Sequence, residues 1–214
     1  MPGIAAFGTV LLMSDMVARA IHEAAVVADT FRIVGDVTLL FTDGVAFRVV
    51  GSTGNDGRWY CHGDSTLDAG DTLIHVTGDI LDATADGSIY LLRAVGNVTN
   101  LQGPGLSLDT VDVTAHDSPS SFEEVVPTIV RGGEVTVDIN YDPTEATHDD
   151  TTGLPRALRL KTLNDYEVIW PFPALGGTTW RFSGYVTKFE PTAPHDGKLS
   201  AATAFKVSGA PILL

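Results

Sequence analysis

Val135, Val137, Ile139 and Tyr141 alternate with Glu134, Thr136, Asp138 and Asn140. A period of two with apolar and polar residues on opposite sides predicts a strand with one buried face. Asp142-Pro143 ends it. The same pattern predicts a strand over Leu199 to Ser208, with Thr203, Phe205 and Val207 on one face and Ala204 and Lys206 on the other. From Thr178 to Glu190, Trp180 and Phe182 share one phase while Tyr185, Thr187 and Phe189 share the other. This predicts a long strand bent or bulged at Gly184. Leu106 and Leu108 are likewise out of phase with Val111 and Val113, which predicts a bulge near Asp109-Thr110. Asp165 to Phe172 reads as a strand stopped by Pro171 and Pro173.

Helical spacing is rare. Leu154, Ala157 and Leu158 predict one helix between Asp150 and Lys161, with Pro155 in its first turn and Asp149, Asp150 and Thr151 available as caps. Met16 to Ala28 fits helix or strand, and its alanines favour helix. Residues 114–132 read as a long connection between strands. Between residues 30 and 90, short apolar runs at Phe31–Gly35, Ala46–Gly51, Arg58–Cys61, Asp71–Thr77 and Ser88–Val95 alternate with turn signals such as Gly54-Asn55-Asp56-Gly57. The expected class is therefore all-β: a β-sandwich of two antiparallel sheets with one flanking helix, built from residues 1–15 and 91–214, plus an inserted β-module at 16–90.

The 214 residues, 44% hydrophobic and 19% charged, are enough for one good core with a small satellite domain. No apolar run reaches the length of a membrane span. The apolar start, Met1 to Ser14, lacks the basic flank of a signal peptide. Cys61, the single cysteine, excludes an intrachain disulfide and a cysteine-based metal cluster, and is expected as a half-buried thiol in a strand. A net charge of −14 argues against tight nucleic-acid binding. The charge is uneven. Residues 109–150 hold eleven Asp/Glu and one Arg, whereas residues 151–214 hold four Asp/Glu and seven Lys/Arg, including every lysine of the chain. An acidic and a basic region on one molecule suit head-to-tail self-association.

Constellations that carry chemistry are weak. His148-Asp149-Asp150 with Asp142 and Glu145 could ligate a divalent cation, but an acidic loop and helix cap explain them better. Asp109 and Asp112 suit turn chemistry better than paired catalytic carboxylates. His116-Asp117-Ser118 has the residue types of a triad but not the separation one needs. Gly132-Gly133 reads as a turn before a strand. No catalytic, cofactor or metal site is assigned, and an enzyme is not expected. Trp170, Trp180, Phe182, Tyr185 and Phe189 are expected in the core. Phe47, Trp59 and Tyr60 are expected there too, with glycan stacking as the other possibility.

Together, the runs at 103–127, 132–143 and 178–209 resemble the major tail tube protein of long, non-contractile phage tails. Phe7-Gly8-Thr9-Val10-Leu11 resembles that family's first strand. His148, the leucine-rich segment 154–163 and the strand through Val168-Ile169-Trp170 fall where the family has its helix and following strand. The resemblance covers roughly residues 1–15 and 89–214. Residues 16–88 depart from it, because a short hairpin would be expected there. What the resemblance implies is a structural virion protein, made in the host cytoplasm, whose copies form hexameric rings by joining their sheets edge to edge. The rings stack into a tube around a tape-measure protein, closed by a tail terminator, and DNA passes through without tight binding. A carbohydrate- or receptor-binding β-sandwich is the alternative. The residues expected at subunit contacts are Phe122, Glu123, Glu124, Val125, Val126, Lys188 and Lys198.

Overall fold

The computed structural model describes residues 8–15, 17–115, 122–171 and 178–214. The chain divides into two compact units, one formed by Leu12–Ala94 and the other by the residues on either side of it.

The Leu12–Ala94 unit is antiparallel β-structure. Its strands are β1 (Val10–Ser14), β2 (Arg19–Ala25), β3 (Thr30–Ile33), β4 (Ala46–Val50), β5 (Gly57–Tyr60), β6 (Thr66–Asp68), β7 (Asp71–His75) and β8 (Ser88–Ala94). They run in the order β6-β7-β3-β2-β8-β1, with β4 also paired to β8 and β5 to β4. Phe31, Phe41 and Phe47 are fully buried and meet edge to face, with Phe47 at 6.2 Å from Phe31 and 5.7 Å from Phe41. Ile21, Ile33, Ile74, Ile89 and Leu91 complete the core around them. Each short strand expected between residues 30 and 90 is present.

The alanine-rich stretch is not a helix but β2. Its pairing with β3 shifts register between Ile21 and Glu23, so Ile21 and Ala24, three residues apart, are both buried. A bulge thus imitates the spacing of a helical face. Cys61 is more buried than expected, at 2% exposure, and sits in an isolated bridge to Val76. Burial pushes its thiol up to about 12. Phe47 is core and Trp59 packs against that core, its indole N–H donating to Asn55 O at 2.9 Å.

The second unit contains β9 (Val98–Gln102), β10 (Ser107–Asp112), β11 (Val125–Arg131), β12 (Glu134–Asn140), the helix α1 (Leu154–Leu160), β13 (Asn164–Trp170), β14 (Thr178–Thr192) and β15 (Ser200–Leu213). Here the antiparallel order is β13-β14-β15-β12-β9, and β10 with β11 makes a separate two-stranded sheet. The all-β class therefore holds, with α1 packed on β14. Val135, Val137 and Ile139 are buried, and the Glu134, Thr136 and Asp138 between them are exposed. Tyr166 anchors the core, stacked on Phe182 at 5.4 Å and edge-on to Phe205 at 4.8 Å.

Four local expectations change. First, residues 114–132 are not one long connection, because Val125–Arg131 pairs with β10. Pro127 and a run of apolar residues without alternation conceal this strand. Second, β14 does not change phase at Gly184. Phe182, Gly184 and Val186 are buried while Tyr185 and Thr187 are exposed, and the register shifts lie between Arg181 and Ser183 and between Val186 and Lys188. Tyr185, at 40% exposure, is therefore not core, and Trp170 and Trp180 are only half-buried. Third, β15 continues past Ser208 to Leu213, where Trp180 pairs with Leu213. Fourth, the helix begins at Gly153 with no side-chain cap, and Pro155 lies in its first turn as expected. The Asp149 carboxylate instead accepts the N–H groups of Thr151, Thr152 and Gly153 at 3.0, 2.7 and 3.2 Å. With the Thr151 hydroxyl foremost, these donors hold Asp149 down at about 2.

Candidate self-association surface

The β10–β11 hairpin pairs Ser107 with Arg131, Leu108 with Val130, Thr110 with Pro127, Val111 with Val126 and Asp112 with Val125. The register shifts between Leu108 and Thr110, where Asp109 alone stands opposite both Thr128 and Ile129, so the extra residue of the bulge lies on β11 and not at Asp109-Thr110 as expected. Strand β10 keeps its alternation, and Leu108 and Val111, three residues apart, lie on opposite faces. Their partners follow them: Leu108 and Val130 share one face, while Val111 and Val126 share the other with Ser107, Asp109 and Arg131. Leu108, Val111, Val126 and Val130 stand open at 52, 53, 48 and 64% exposure. The Arg131 guanidinium meets the Asp109 carboxylate at 2.6 Å. That contact holds Asp109 below the usual carboxylate range.

Two isolated strands are marginal in water unless a face is covered. Every described residue of β11 is exposed, and so is all of β10 except the half-buried Asp109. The hairpin is nevertheless anchored firmly at its root. Gly133 has φ +69°, and a Cβ there would lie 2.4 Å from the Gly105 carbonyl oxygen, so only glycine fits. Beside this root is an open groove of about 520 Å³, lined by Leu106, Val130, Gly132 and Gly133 on the hairpin side and by Lys206 to Pro211 of β15 on the other. Elsewhere in the unit, β9 ends the strand order and, among the described residues, pairs with β12 only, so that it offers an edge.

The residues expected at subunit contacts fall on two hairpins. Val125 and Val126 open β11, and Phe122 just before them is 75% exposed. Glu123 and Glu124 between them are exposed, with the Glu124 N–H donating to the Thr114 hydroxyl at 2.9 Å. Lys188 lies on β14 and meets Glu190 at 2.9 Å, while Lys198 is exposed in the β14–β15 connection. What the sequence reading missed is that β10 is regular and apolar on both faces, its Leu108 paired with Val130 and its Val111 with Val126. The change of phase around Asp109 was the signal, but it marks a two-sided strand and not a bulge in β10.

The groups considered for chemistry are structural. His148 is fully buried, and both ring nitrogens are used: Nδ1 accepts the Asp142 N–H at 3.2 Å, and Nε2 lies 2.9 Å from the Gly96 carbonyl, to which it donates. It clasps two loops and has no nitrogen left for a cation. Asp142 caps Thr144, and Asp112 caps Thr114. His116-Asp117-Ser118 and Phe7 lie outside the described residues. Among the described residues, no group of three or more His, Cys, Asp or Glu is placed to hold a metal, and no helix is long and apolar enough to cross a membrane.

No protein-family model and no curated protein matches the chain. Solved structures share weak overall similarity. A chain in the tail of an empty gene transfer agent particle, refined with helical and C6 symmetry, is 16% identical over 57% of this chain and 86% of its own length, with a TM-score of 0.46. A chain of the native gene transfer agent virion gives 16% identity over 57% and 88%, with a TM-score of 0.47. A chain of the anti-feeding prophage baseplate, 6-fold symmetrised, gives 9% identity over 57% and 83%, with a TM-score of 0.45.

Proposed function

We propose that this chain is a self-assembling structural subunit of a phage-like tail tube, and not an enzyme. The observation that carries the reading is the β10–β11 hairpin, whose apolar side chains stand exposed on both faces. Among the described residues nothing buries Leu108, Val111, Val126 or Val130, and a second copy supplies the cover. The sequence resemblance over residues 1–15 and 89–214 gives the setting: hexameric rings stacked into a tube, around a tape-measure protein and under a terminator, in the virion. The non-contractile type of tail rests on that resemblance alone. Residues 16–90 then form an added β-module carried by each subunit.

Physical features of the fold agree with this role. The open edge of β9 suits pairing with a neighbour's strand. Much of the charge asymmetry between residues 109–150 and 151–214 is left for contacts between copies, although Arg159 already meets Asp150 within the chain at 3.0 Å. An acidic wall repels DNA and lets it pass.

The test is to concentrate the purified chain and follow it by light scattering and negative-stain microscopy. Rings or tubes of uniform bore are expected above a threshold concentration. A protein that stays monomeric at every concentration, alone and with added salting-out ions, would sink the proposal.

A further inference from the structure

The hairpin carries unlike features at its two ends. At the far end, Phe122 is the most exposed of the large aromatic side chains described, and exposed Glu123 and Glu124 follow it. At the root, the groove of about 520 Å³ is floored by Val130, Val207 and glycines and is flanked by exposed Lys206 and by Arg131. One end is an aromatic ring with acidic neighbours, and the other is a hollow with basic ones. An aromatic ring buries roughly 150–250 Å² when seated, which a hollow of this size can accommodate.

A chain cannot close this contact on itself. The six residues of β10 at about 3.4 Å each separate the two ends by roughly 20 Å. Donor and acceptor are also different surfaces, so a contact between copies leaves one of each unused and the next copy can add.

We infer that Phe122 and Glu123 of one copy seat in the groove between the hairpin root and β15 of the next, beside its Lys206. This rests on the self-assembly proposed above and adds where the contact is made. One lining glycine is required by the packing there: at Gly132 a Cβ would meet Val207 at 2.6 Å. The face of the hairpin that carries Leu108 and Val130 runs into the groove through Val130, so covering one begins to cover the other.

Two measurements on the full chain test this. In the first, Glu123→Lys and Lys206→Glu are made singly and together, and the concentration of half-assembly is read by light scattering. Each single reversal is expected to raise it by roughly fivefold, the scale of an exposed ion pair, and the double variant to return near the starting value. In the second, Phe122→Cys protein is mixed with Ala210→Cys protein and oxidised. Cys61 is buried and stays silent, so a disulfide-linked pair is expected from the mixture and far less from either variant alone. Normal assembly that ignores both reversals and yields no cross-link would overturn the groove contact and leave the structural role standing. A wild-type chain that never associates would overturn both.

Discussion

Val111→Thr with Val126→Thr tests whether this apolar pair on one face of the hairpin serves assembly or folding. Threonine keeps the β-branched shape that suits a strand, so the hairpin geometry should persist. In the free subunit the two valines are 53 and 48% exposed. Full burial of a valine contributes about 1.5–2 kcal/mol, so roughly 1 kcal/mol per residue remains to be gained when a partner covers this face. Threonine forfeits most of that gain and adds a hydroxyl that must lose water. Two sites give at least about 2 kcal/mol per contact. At 1.4 kcal/mol per tenfold, the concentration for half-assembly should rise about 30-fold. Exposed positions contribute little to the fold itself, so thermal unfolding of dilute monomer should shift by no more than about 0.5 kcal/mol. Light scattering and differential scanning fluorimetry measure the two effects separately. An unchanged assembly threshold, or a large loss of monomer stability with unaltered assembly, would refute the reasoning.

Further expectations concern stability and reactivity. Arg181→Met leaves the fully buried Glu167 without the guanidinium now 3.1 Å away, and should destabilise the fold by about 3 kcal/mol in chemical denaturation, whereas Arg181→Lys should cost less. Asp149 has a lowered folded pKa of about 2, so its contribution is fully present above about pH 4 and is lost as pH falls toward 2. Melting temperatures measured over that window should fall more steeply for the wild type than for Asp149→Asn. Cys61, buried with its thiol pushed up to about 12, should resist a thiol reagent at pH 8 in the folded protein and react with one equivalent once the chain is denatured.

How much was legible in the sequence depended on whether a strand kept its period. Glu134–Asn140 pairs with neighbours on both sides without a break on its β15 side, and its alternation gave its burial residue by residue. Strands interrupted by bulges misled in different ways. Around Asp109 the change of phase suggested a bulge in β10, whereas the extra residue belongs to β11 and β10 is apolar on both faces. In β2 the break between Ile21 and Glu23 made a strand look helical among alanines. In β14 the glycine drew attention from the shift that follows Val186. For the candidate surface, Phe122 to Val126 could be picked out by composition. The apolar pairs Leu108–Val130 and Val111–Val126 could not, since they exist only once β11 is known to pair with β10. The role of His148 depended on a carbonyl at Gly96, far away in the chain.

Because β10 keeps its alternation and the extra residue sits in β11, the hairpin is apolar on two sides, with Leu108 and Val130 on one and Val111 and Val126 on the other. A partner laid against one side leaves the second pair uncovered. Substitutions on the two sides should therefore weaken association independently, and their effects should add.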